Sequence, residues 1–497
     1  MSSLEEQKTL PFGFAKRNGV VIQGEITDTG SSEVICREGL DVQVLAEVQR
    51  YIGRPLHPVQ VDNATFDRIL SGSYENDSDA AMQMIEDLGE AFDLSSIAEA
   101  IPDNSDLLEQ VDDAPIIKLI NSLLAEAIKI SASDIHIETY ESRLVVRFRV
   151  DGILKEIVSP RRALAPLLVS RIKVMAKLDI AEKRIPQDGR ITVRVGGKEV
   201  DVRVSTIPAS NGERVVMRLL DKQAGRRDFS RLGMSDNALE NMSKLVEHPH
   251  GILLVTGPTG SGKSTTLYAC LDRLNDSSRN ILTVEDPIEY DIEGIGQTQV
   301  NVKADMTFAK GLRAILRQDP DVVMVGEIRD YETADISVQA SLTGHLVLST
   351  IHTNTAIGAI TRLANMGVQP YLLSNSLNGL VSQRLVRVLC KSCREPYNPD
   401  SYEREFLNLK RKSSAPAIYK AIGCEDCGNE GYRGRMGIYE VVLVDDELRR
   451  MIHGGVSELD MEKHARKKFP GVRDDGRLRV LNGQTTIDEI LRVTMND

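Results

Sequence analysis

Gly257-Pro258-Thr259-Gly260-Ser261-Gly262-Lys263-Ser264-Thr265 is a nine-residue run near the centre of the chain. It matches the Walker A pattern of a glycine, four free positions and then Gly-Lys-Ser/Thr. The apolar residues 251–256 before it predict a short buried strand, and residues 265–269 predict the start of a helix. A strand, a glycine-rich loop and a helix in this order bind phosphate groups through backbone N–H groups and the helix N-terminus.

All nine residues are therefore predicted to contact a nucleoside triphosphate. Lys263 is placed to reach the β- and γ-phosphates, and the Ser264 hydroxyl is placed to ligate Mg²⁺. The alternative is a glycine-rich turn with only a structural role.

Composition indicates a soluble globular chain of several domains. The chain has 497 residues, 41% hydrophobic and 27% charged, with a formal net charge of −12. Residues 1–113 carry −16 of this charge, so the remainder is nearly neutral at +4. We expect no signal peptide, no membrane span and a cytoplasmic location. Tryptophan is absent and aromatic residues make up 4%, which argues against a nucleic-acid motor and predicts no nucleic-acid partner.

Changes of pattern along the chain predict seven segments. The segments are an N-terminal partner-docking α/β domain at 1–90, an acidic linker at 91–112, an α+β domain at 113–221, a linker at 222–230, a nucleotide-binding core at 231–388, a four-cysteine module at 389–434 and a helical subdomain at 435–497. From Glu75 to Asp113 there are thirteen acidic residues and no lysine or arginine. This stretch is interpreted as a solvated tether or as a helix that docks a partner.

The core segment alternates predicted strands with predicted helices, which is typical of a doubly wound, mainly parallel sheet. The strands are predicted at 252–256, 281–284, 322–325 and 346–350, and the helices at 265–274, 307–317, 331–341 and 355–364.

Two groups of carboxylates follow apolar runs of this core. Glu327 comes directly after the run 321–326, where open α/β sheets place their ligands. A Walker B strand usually ends in aspartate, so the role of a glutamate at this position is open. Glu327 could support the metal ion or polarise the attacking water. Glu285, Asp286 and Glu289 follow another apolar run, which lies earlier in the chain, and are either surface acids or groups that orient the water.

Two histidines flank one predicted strand. His345 and His352 lie at opposite ends of residues 346–351, too far apart to share a metal ion. We interpret them as γ-phosphate sensors or as links between domains, with a purely structural role as the alternative. The arginines of the α+β domain lie mostly on strands, where they form a solvated face or supply charge to a phosphate across a domain or subunit boundary.

Two Cys-X-X-Cys pairs follow the core. Cys390 with Cys393 and Cys424 with Cys427 can present four thiolates to a Zn²⁺ ion, and four protein ligands leave no open position for catalysis. The thirty-residue spacer is longer than in most zinc ribbons. Redox-active or unliganded cysteines are the alternatives to a structural zinc site.

Four motifs in order carry a resemblance to a known family. The runs 257–265, 283–290, 321–329 and 343–354 resemble the Walker A motif, Asp box, Walker B motif and His box of the type II/type IV pilus secretion ATPases, over residues 112–497. The short N-terminal domain, its acidic tether and the cysteines resemble the type II secretion ATPases of the GspE family. Type IV pilus assembly ATPases are the alternative, and retraction ATPases lack the four-cysteine insert.

The resemblance implies a multidomain α/β fold with a RecA-like P-loop ATPase domain, a preceding PAS-like α+β domain, a small N-terminal α/β domain and a zinc insert. It implies a homo-hexamer that uses ATP, Mg²⁺ and Zn²⁺ to drive pseudopilus assembly and protein export. Its partners would be the inner-membrane protein GspL, through the N-terminal domain, and the platform protein GspF. These partners alone would hold it on the cytoplasmic face of the inner membrane. The residues that match the family's phosphate-facing arginines are Arg203, Arg218, Arg313, Arg317, Arg329 and Arg362.

Overall fold

The computed structural model describes residues 12–26, 31–63, 65–70, 114–195, 198–221, 229–409 and 416–495, together with Leu10, Ser73 and Leu94. The chain forms two compact units, Met1–Lys222 and Gln223–Asp497. The predicted linkers at 91–112 and 222–230 lie almost wholly outside the described residues. Within the described part of the chain, no helix has both the length and the apolar character that crossing a bilayer requires.

The first unit begins with a small α/β layer. Its middle strand is antiparallel to the first strand and parallel to the third. The Asp41 carboxylate caps the second helix by accepting from the Gln43 N–H, and Gly53 in the left-handed region ends it. The elements are α1 (Phe12–Asn18), β1 (Val20–Ile26), β2 (Ser32–Arg37), α2 (Val42–Ile52) and β3 (Leu56–Val61). The prediction of a small N-terminal α/β domain is confirmed.

The rest of the first unit is a six-stranded antiparallel sheet covered by two helices. The strand order is β6-β5-β4-β9-β8-β7. Apolar residues such as Ile135 and Ile137 on the central strand pack in one core with helix residues such as Leu123. The elements are α3 (Ala114–Lys129), β4 (Asp134–Thr139), β5 (Leu144–Val150), β6 (Ile153–Val158), α4 (Ala165–Met175), β7 (Gln187–Val195), β8 (Lys198–Ala209) and β9 (Gly212–Asp221).

The opposite face of this sheet is charged, because alternate residues of a strand point to opposite faces. Asp134 on β4 pairs with Arg218 at 2.8 Å and with Arg149 at 3.6 Å. Glu138, further along the same strand, pairs with Arg147 at 2.6 Å and with Arg214. These strand arginines are therefore held by buried carboxylates of the neighbouring strand.

The second unit is built on a seven-stranded sheet of order β12-β11-β13-β14-β10-β15-β18. All neighbouring strands are parallel except the last pair, β15 and β18. The strands are β10 (Gly251–Thr256), β11 (Ile281–Glu285), β12 (Gly296–Gln299), β13 (Val322–Val325), β14 (Leu346–Ile351), β15 (Leu377–Leu389) and β18 (Tyr432–Leu443). The predicted doubly wound α/β class is confirmed.

Helices cover both faces of this sheet. Every residue of β10 and β14 is buried, as expected for parallel strands with helices on both sides. The helices up to β15 are α5 (Asp236–Val246), α6 (Lys263–Leu274), α7 (Phe308–Ile315), α8 (Tyr331–Leu342), α9 (Gly358–Asn365) and α10 (Pro370–Ser376). The carboxyl ends of β10, β11, β13 and β14 meet at one edge of the sheet.

Strand β18 corrects the prediction that 435–497 is a helical subdomain. This segment begins inside the last strand of the main sheet, where Gly379–Arg387 pairs with Arg435–Leu443. Residues 437–442 are buried without alternation, so the polar-apolar pattern of an ordinary antiparallel strand is missing from the sequence. The predicted divisions at 388 and 434 therefore cut two strands of the core sheet.

A small module lies between β15 and β18, and four helices follow β18. The module contains β16 (Glu395–Tyr397), α11 (Ser401–Phe406) and β17 (Ile418–Lys420), and the two strands form an antiparallel pair. The C-terminal helices are α12 (Asp446–His453), α13 (Glu458–Ala465), α14 (Val472–Leu481) and α15 (Ile487–Thr494).

Glu489 connects the last helix, α15, to strand β15 through hydrogen bonds. Its buried carboxylate accepts from the Arg387 guanidinium at 2.8 Å and backbone N–H at 2.9 Å, and from Arg492 at 2.8 and 3.0 Å. Burial raises the pKa of Glu489, but the hydrogen bonds from Arg492 and Arg387 outweigh it and hold the pKa at about 2. The ionised carboxylate is therefore the form that the fold stabilises.

We expect Glu489→Gln to destabilise the second unit by about 3 kcal/mol, because two guanidinium groups lose their buried counter-ion. The apparent midpoint of thermal unfolding should fall by roughly 5–10 °C at pH 7. Since the folded pKa lies below the ordinary value, the stabilisation is present above about pH 4.5 and is lost as the pH falls toward about 2.

The difference in the free energy of unfolding between wild type and variant should thus be constant at about pH 6–7 and shrink below about pH 4.5. Glu447→Gln is the matched control, because Glu447 forms an exposed ion pair with Arg450. It should change stability by less than about 0.5 kcal/mol. Equal effects of the two substitutions would contradict this account.

Candidate functional site

The glycine-rich loop joins β10 to α6 and depends on residues without a side chain. Gly257, Gly260 and Gly262 have φ values of 143°, 78° and 86°, a region that L-residues rarely adopt. A Cβ atom on Gly257 would lie 2.4 Å from the Gln383 carbonyl oxygen, and one on Gly262 would lie 2.8 Å from the Gln383 side-chain nitrogen. The loop therefore needs glycine both for its backbone conformation and for the close approach of β15.

Lys263 is the first residue of α6 and is buried. Its Nζ donates to the carbonyl oxygens of Gly257 at 2.9 Å and Pro258 at 3.1 Å. Burial lowers the pKa of this amine, nearby Glu327 opposes that effect and Arg384 adds to it. A phosphate group would replace the two carbonyl contacts with an anionic partner for the amine.

The helix N-terminus meets the other requirements of a phosphate site. The residue that precedes α6, Gly262, has no side chain to cap the first-turn N–H groups. Ser264 is exposed in this first turn, where its hydroxyl is accessible to a metal ion. The loop, the amine and the hydroxyl fit a Mg²⁺-bound triphosphate by their chemistry.

Glu327 links the carboxyl end of β13 to that of β14. It forms an ion pair with Arg329, and the Nε2 of His352 lies 3.4 Å from its carboxylate. Burial lowers the pKa of His352 first, the charges of Lys263 and Arg329 lower it further, and Glu327 opposes them. Lys263, Glu327, Arg329 and His352 thus form one electrostatic cluster, and its histidine favours the neutral form.

The acids of the Asp box have different surroundings. Glu285 is buried and accepts from the Tyr268 hydroxyl, from the Thr283 hydroxyl at 2.6 Å and from Gln297 at 3.1 Å. Asp286, by contrast, is exposed. The hydrogen bond to Glu327 raises the pKa of Arg329, burial opposes this effect, and the charges of Glu327 and Asp286 add to it. Glu285 is therefore engaged within the fold, while Asp286 acts electrostatically on the Glu327 cluster.

Glu289 and His345 have local partners. The half-buried Glu289 donates its backbone N–H to the Tyr268 hydroxyl at 3.2 Å. His345 precedes β14, and its Nδ1 lies 2.9 Å from the Ala340 carbonyl oxygen. Because the six-residue strand β14 separates it from His352, roughly 20 Å lies between the two histidines. The structure does not bring His345 to the cluster around Glu327.

The remaining arginines fall into two groups, apart from Arg329. In the second unit, Arg313 on α7 pairs with Glu332 at 2.5 Å and Arg317 donates to the Arg313 carbonyl, while Arg362 lies on α9. In the first unit, Arg203 on β8 lies between Arg190 and Arg218 in strand register.

Strand β15 contributes side chains to the site that no sequence motif indicated. The Gln383 carboxamide oxygen accepts from the Thr266 hydroxyl at 2.7 Å. The buried Arg384 donates to the Asn354 carbonyl at 2.7 Å and to the Val493 carbonyl at 3.3 Å. The sequence feature that could have indicated this contribution is the polar run Ser382-Gln383-Arg384 inside the apolar stretch 377–389.

The four cysteines converge, with their sulfur atoms all within 4.8 Å of one another. Cys390 follows β15 and Cys427 precedes β18, so the antiparallel pair of strands brings the two CxxC pairs together despite the long spacer. Burial raises the pKa of Cys427, but N–H groups of Cys424 and Gly431 that donate to its sulfur lower it to about 6. This set of donors fits a tetrahedral Zn²⁺ ion.

Comparison with known proteins identifies what the chain resembles. Residues 109–492 match the family model described as "Type II/IV secretion system protein", and residues 9–74 match a second model, for a domain of "GSPII protein E". The chain is 61% identical to "Type II secretion system protein E" of Pseudomonas aeruginosa over 99% of this chain and 97% of that protein. It is 57% identical to "Type II secretion system ATPase E" of Vibrio cholerae over 98% and 97%.

Two solved structures share the fold. The pilus retraction motor PilT with bound ADP matches at 28% identity and a TM-score of 0.52, over 75% of this chain and 95% of that one. The Legionella pneumophila ATPase DotB matches at 22% identity and a TM-score of 0.58, over 80% and 99%. The second likeness concerns the fold alone.

We expect the purified chain to hold close to one Zn²⁺ per chain, because the four sulfurs are already gathered. Cys424→Ser should abolish stoichiometric zinc in an elemental analysis and lower the unfolding midpoint. Cys36→Ala, a buried cysteine of the first unit, is the control and should keep the full zinc content. A metal-free wild-type chain with four freely titrating module thiols would contradict the zinc site.

Proposed function

The chain belongs to the type II/IV secretion system protein family and, within it, to the GspE group of type II secretion ATPases, and from this premise we propose that it hydrolyses ATP to drive pseudopilus assembly and protein export. The observation that carries the proposal is the cluster of Lys263 and Glu327 beside the glycine-rich loop. Hydrolysis needs both a group that holds the triphosphate and a carboxylate near the attacking water.

Binding of ATP begins at the loop between β10 and α6. Backbone N–H groups and the positive end of α6 attract the phosphates. Lys263 would exchange its two carbonyl acceptors for phosphate oxygens, and Ser264 would hold Mg²⁺, which would supply positive charge to the phosphates. The buried amine gains an anionic partner, so phosphate binding should raise its lowered pKa again.

Glu327 is the proposed carboxylate of the reaction. Arg329 and His352 fix its position from two sides, so it can support the metal shell or orient the attacking water. Asp286 is the Asp-box acid whose charge reaches this cluster, and Glu289 remains a second candidate. Glu285, the third predicted acid, would act indirectly by holding Tyr268.

Arginines complete the proposed site by neutralising the charge that develops on the transferred phosphoryl group. Arg329 already lies beside Glu327. The other proposed donors, from this chain or from a neighbouring subunit, are Arg203, Arg218, Arg313, Arg317 and Arg362. His345, which has a local partner, is proposed as a structural link at the far end of β14.

The assembly is proposed to be a homo-hexamer on the cytoplasmic face of the inner membrane. The N-terminal domain would bind GspL and the body would contact the platform protein GspF, so that membrane attachment occurs through partners. Zinc in the four-cysteine module would have a structural role, since four thiolates saturate its coordination.

Lys263→Ala and Glu327→Gln should separate binding from chemistry. Lys263→Ala should weaken ATP binding and lower kcat/KM by at least about 10²-fold, because the phosphates lose the positively charged amine that stabilises them. Glu327→Gln should bind a fluorescent ATP analogue within about threefold of wild type yet lower kcat by about 10²-fold or more. Phosphate release and analogue binding are the two measurements.

The controls for these variants are Lys244→Ala and Glu240→Gln, two exposed residues that pair with each other on α5. Both should keep wild-type turnover. Full hydrolysis by Lys263→Ala, with its circular dichroism spectrum unchanged, would rule out this loop as the ATP site.

A site completed between subunits predicts that specific activity falls on dilution. Turnover per chain should drop as sedimentation shows the oligomer dissociating, and it should recover when the chain is concentrated again. Specific activity that stays constant while the chain is monomeric would show that one subunit suffices.

A further inference from the structure

A cleft of about 360 Å³ opens between β17, α11 and the first turn of α15. None of its lining residues belongs to the proposed ATP site. Four of the twelve tyrosines of the chain line it, namely Tyr397, Tyr402, Tyr419 and Tyr432. One third of the tyrosines of the chain therefore line one surface cleft.

The cleft also gathers negative charge. Asp400, Glu403 and Asp488 line it. Asp400 and Glu403 accept each other's backbone N–H groups at 2.8 and 2.9 Å in the first turn of α11, whereas the side chain of Asp488 is exposed. Lys420, the one basic lining residue, pairs with Glu395 at 3.5 Å. The lining of the cleft therefore has three acidic residues and one basic residue, which is already paired.

Internal contacts of the tyrosines show the chemistry that they support. The Arg394 guanidinium lies 4.5 Å from the ring centre of Tyr419, and that of Arg387 lies 4.0 Å from the ring centre of Tyr432. Both distances are within the range of cation–π contacts. Tyr397 donates its hydroxyl to a cleft carboxylate, that of Glu403, at 2.5 Å, which fixes an aromatic ring beside an acceptor.

We propose that this cleft binds an arginine-bearing segment of a partner protein. A guanidinium group stacks on a tyrosine ring and donates paired hydrogen bonds to a carboxylate. The exposed Tyr402 and Asp488 offer one group of each kind on the lining of the cleft. Its volume of about 360 Å³ lies at the lower end of the range of ligand-binding pockets. Burial, the hydrogen bond to Glu403 and the charges of Glu403, Asp488 and Asp400 raise the pKa of Tyr397, in agreement with a local negative potential.

Arginine is favoured over lysine as the anchor. An ammonium group is a compact, strongly hydrated charge, whereas the planar guanidinium matches both a ring face and a carboxylate. The peptide with lysine in place of arginine should accordingly bind more weakly than the arginine peptide.

The test uses the full chain and a fluorescent peptide of three Arg-Gly repeats, with fluorescence anisotropy as the readout. Asp488→Asn and Tyr402→Ala should each weaken binding by at least about fivefold, through loss of a carboxylate and of a stacking ring. Both residues are exposed, with Tyr402 65% exposed, so neither change should unfold the chain. ATP turnover should be unchanged, which keeps this test independent of the proposed catalytic site.

Matched controls are Asp446→Asn and Tyr371→Ala, an exposed first-turn aspartate of α12 and an exposed tyrosine of α10. They should bind the peptide as the wild type does. A citrulline peptide, which is neutral and has nearly the same shape, should fail to bind.

Three outcomes would overturn the proposal. The first is binding within twofold of wild type in both cleft variants, and the second is an equal loss in the Asp446→Asn control, which would indicate diffuse acidic attraction. The third is concentration-dependent self-association of the full chain that Asp488→Asn abolishes, because the occupant would then be a second copy of this chain.

Discussion

The approach of β15 to the phosphate-binding loop is the contact on which the rest of the second unit depends. The backbone carbonyl of Gln383 leaves no room for a side chain on Gly257. Its carboxamide nitrogen would lie 2.8 Å from a Cβ atom on Gly262, whose φ of 86° also favours glycine. The same carboxamide accepts from Thr266 in the first turns of α6. The loop is therefore held from the sheet side by one residue of the neighbouring strand. Such support keeps the loop N–H groups aligned before any ligand arrives, so less ordering free energy is lost on binding.

A second set of contacts fixes the position of the groups on the side of the site where hydrolysis is proposed to take place. The Thr256 hydroxyl at the end of β10 donates to the Thr353 carbonyl and accepts from the Thr353 N–H, both at 2.9 Å. His352, the preceding residue, contacts Glu327 at the end of β13. Three parallel strands thus place a lysine, a carboxylate and a neutral imidazole at one edge of the sheet. In this arrangement the positive charges of Lys263 and Arg329 flank a single carboxylate, and an incoming triphosphate would meet a net positive surface.

The features that can be predicted from the sequence are those that depend on short stretches of the chain. The glycine-rich loop, the four core strands beside it and the two CxxC pairs follow from short patterns, and the fold class follows from their order. Gln383 lies 117 residues from Thr266, so no local pattern reveals that they touch. The sequence left Glu285 open to interpretation as a surface acid because one of its donors, Tyr268, lies on a helix 17 residues earlier in the chain. Strand β18 was missed because burial on both faces removes the alternation by which strands are recognised.

The most direct measurement is a structure of the full chain with a non-hydrolysable ATP analogue and Mg²⁺. The account predicts that the Lys263 amine leaves the carbonyl oxygens of Gly257 and Pro258 and lies about 3 Å from the β- and γ-phosphate oxygens. It also predicts that the contact between Gln383 and Thr266 is unchanged. A ligand bound elsewhere, with Lys263 still bonded to its own loop, would contradict the account.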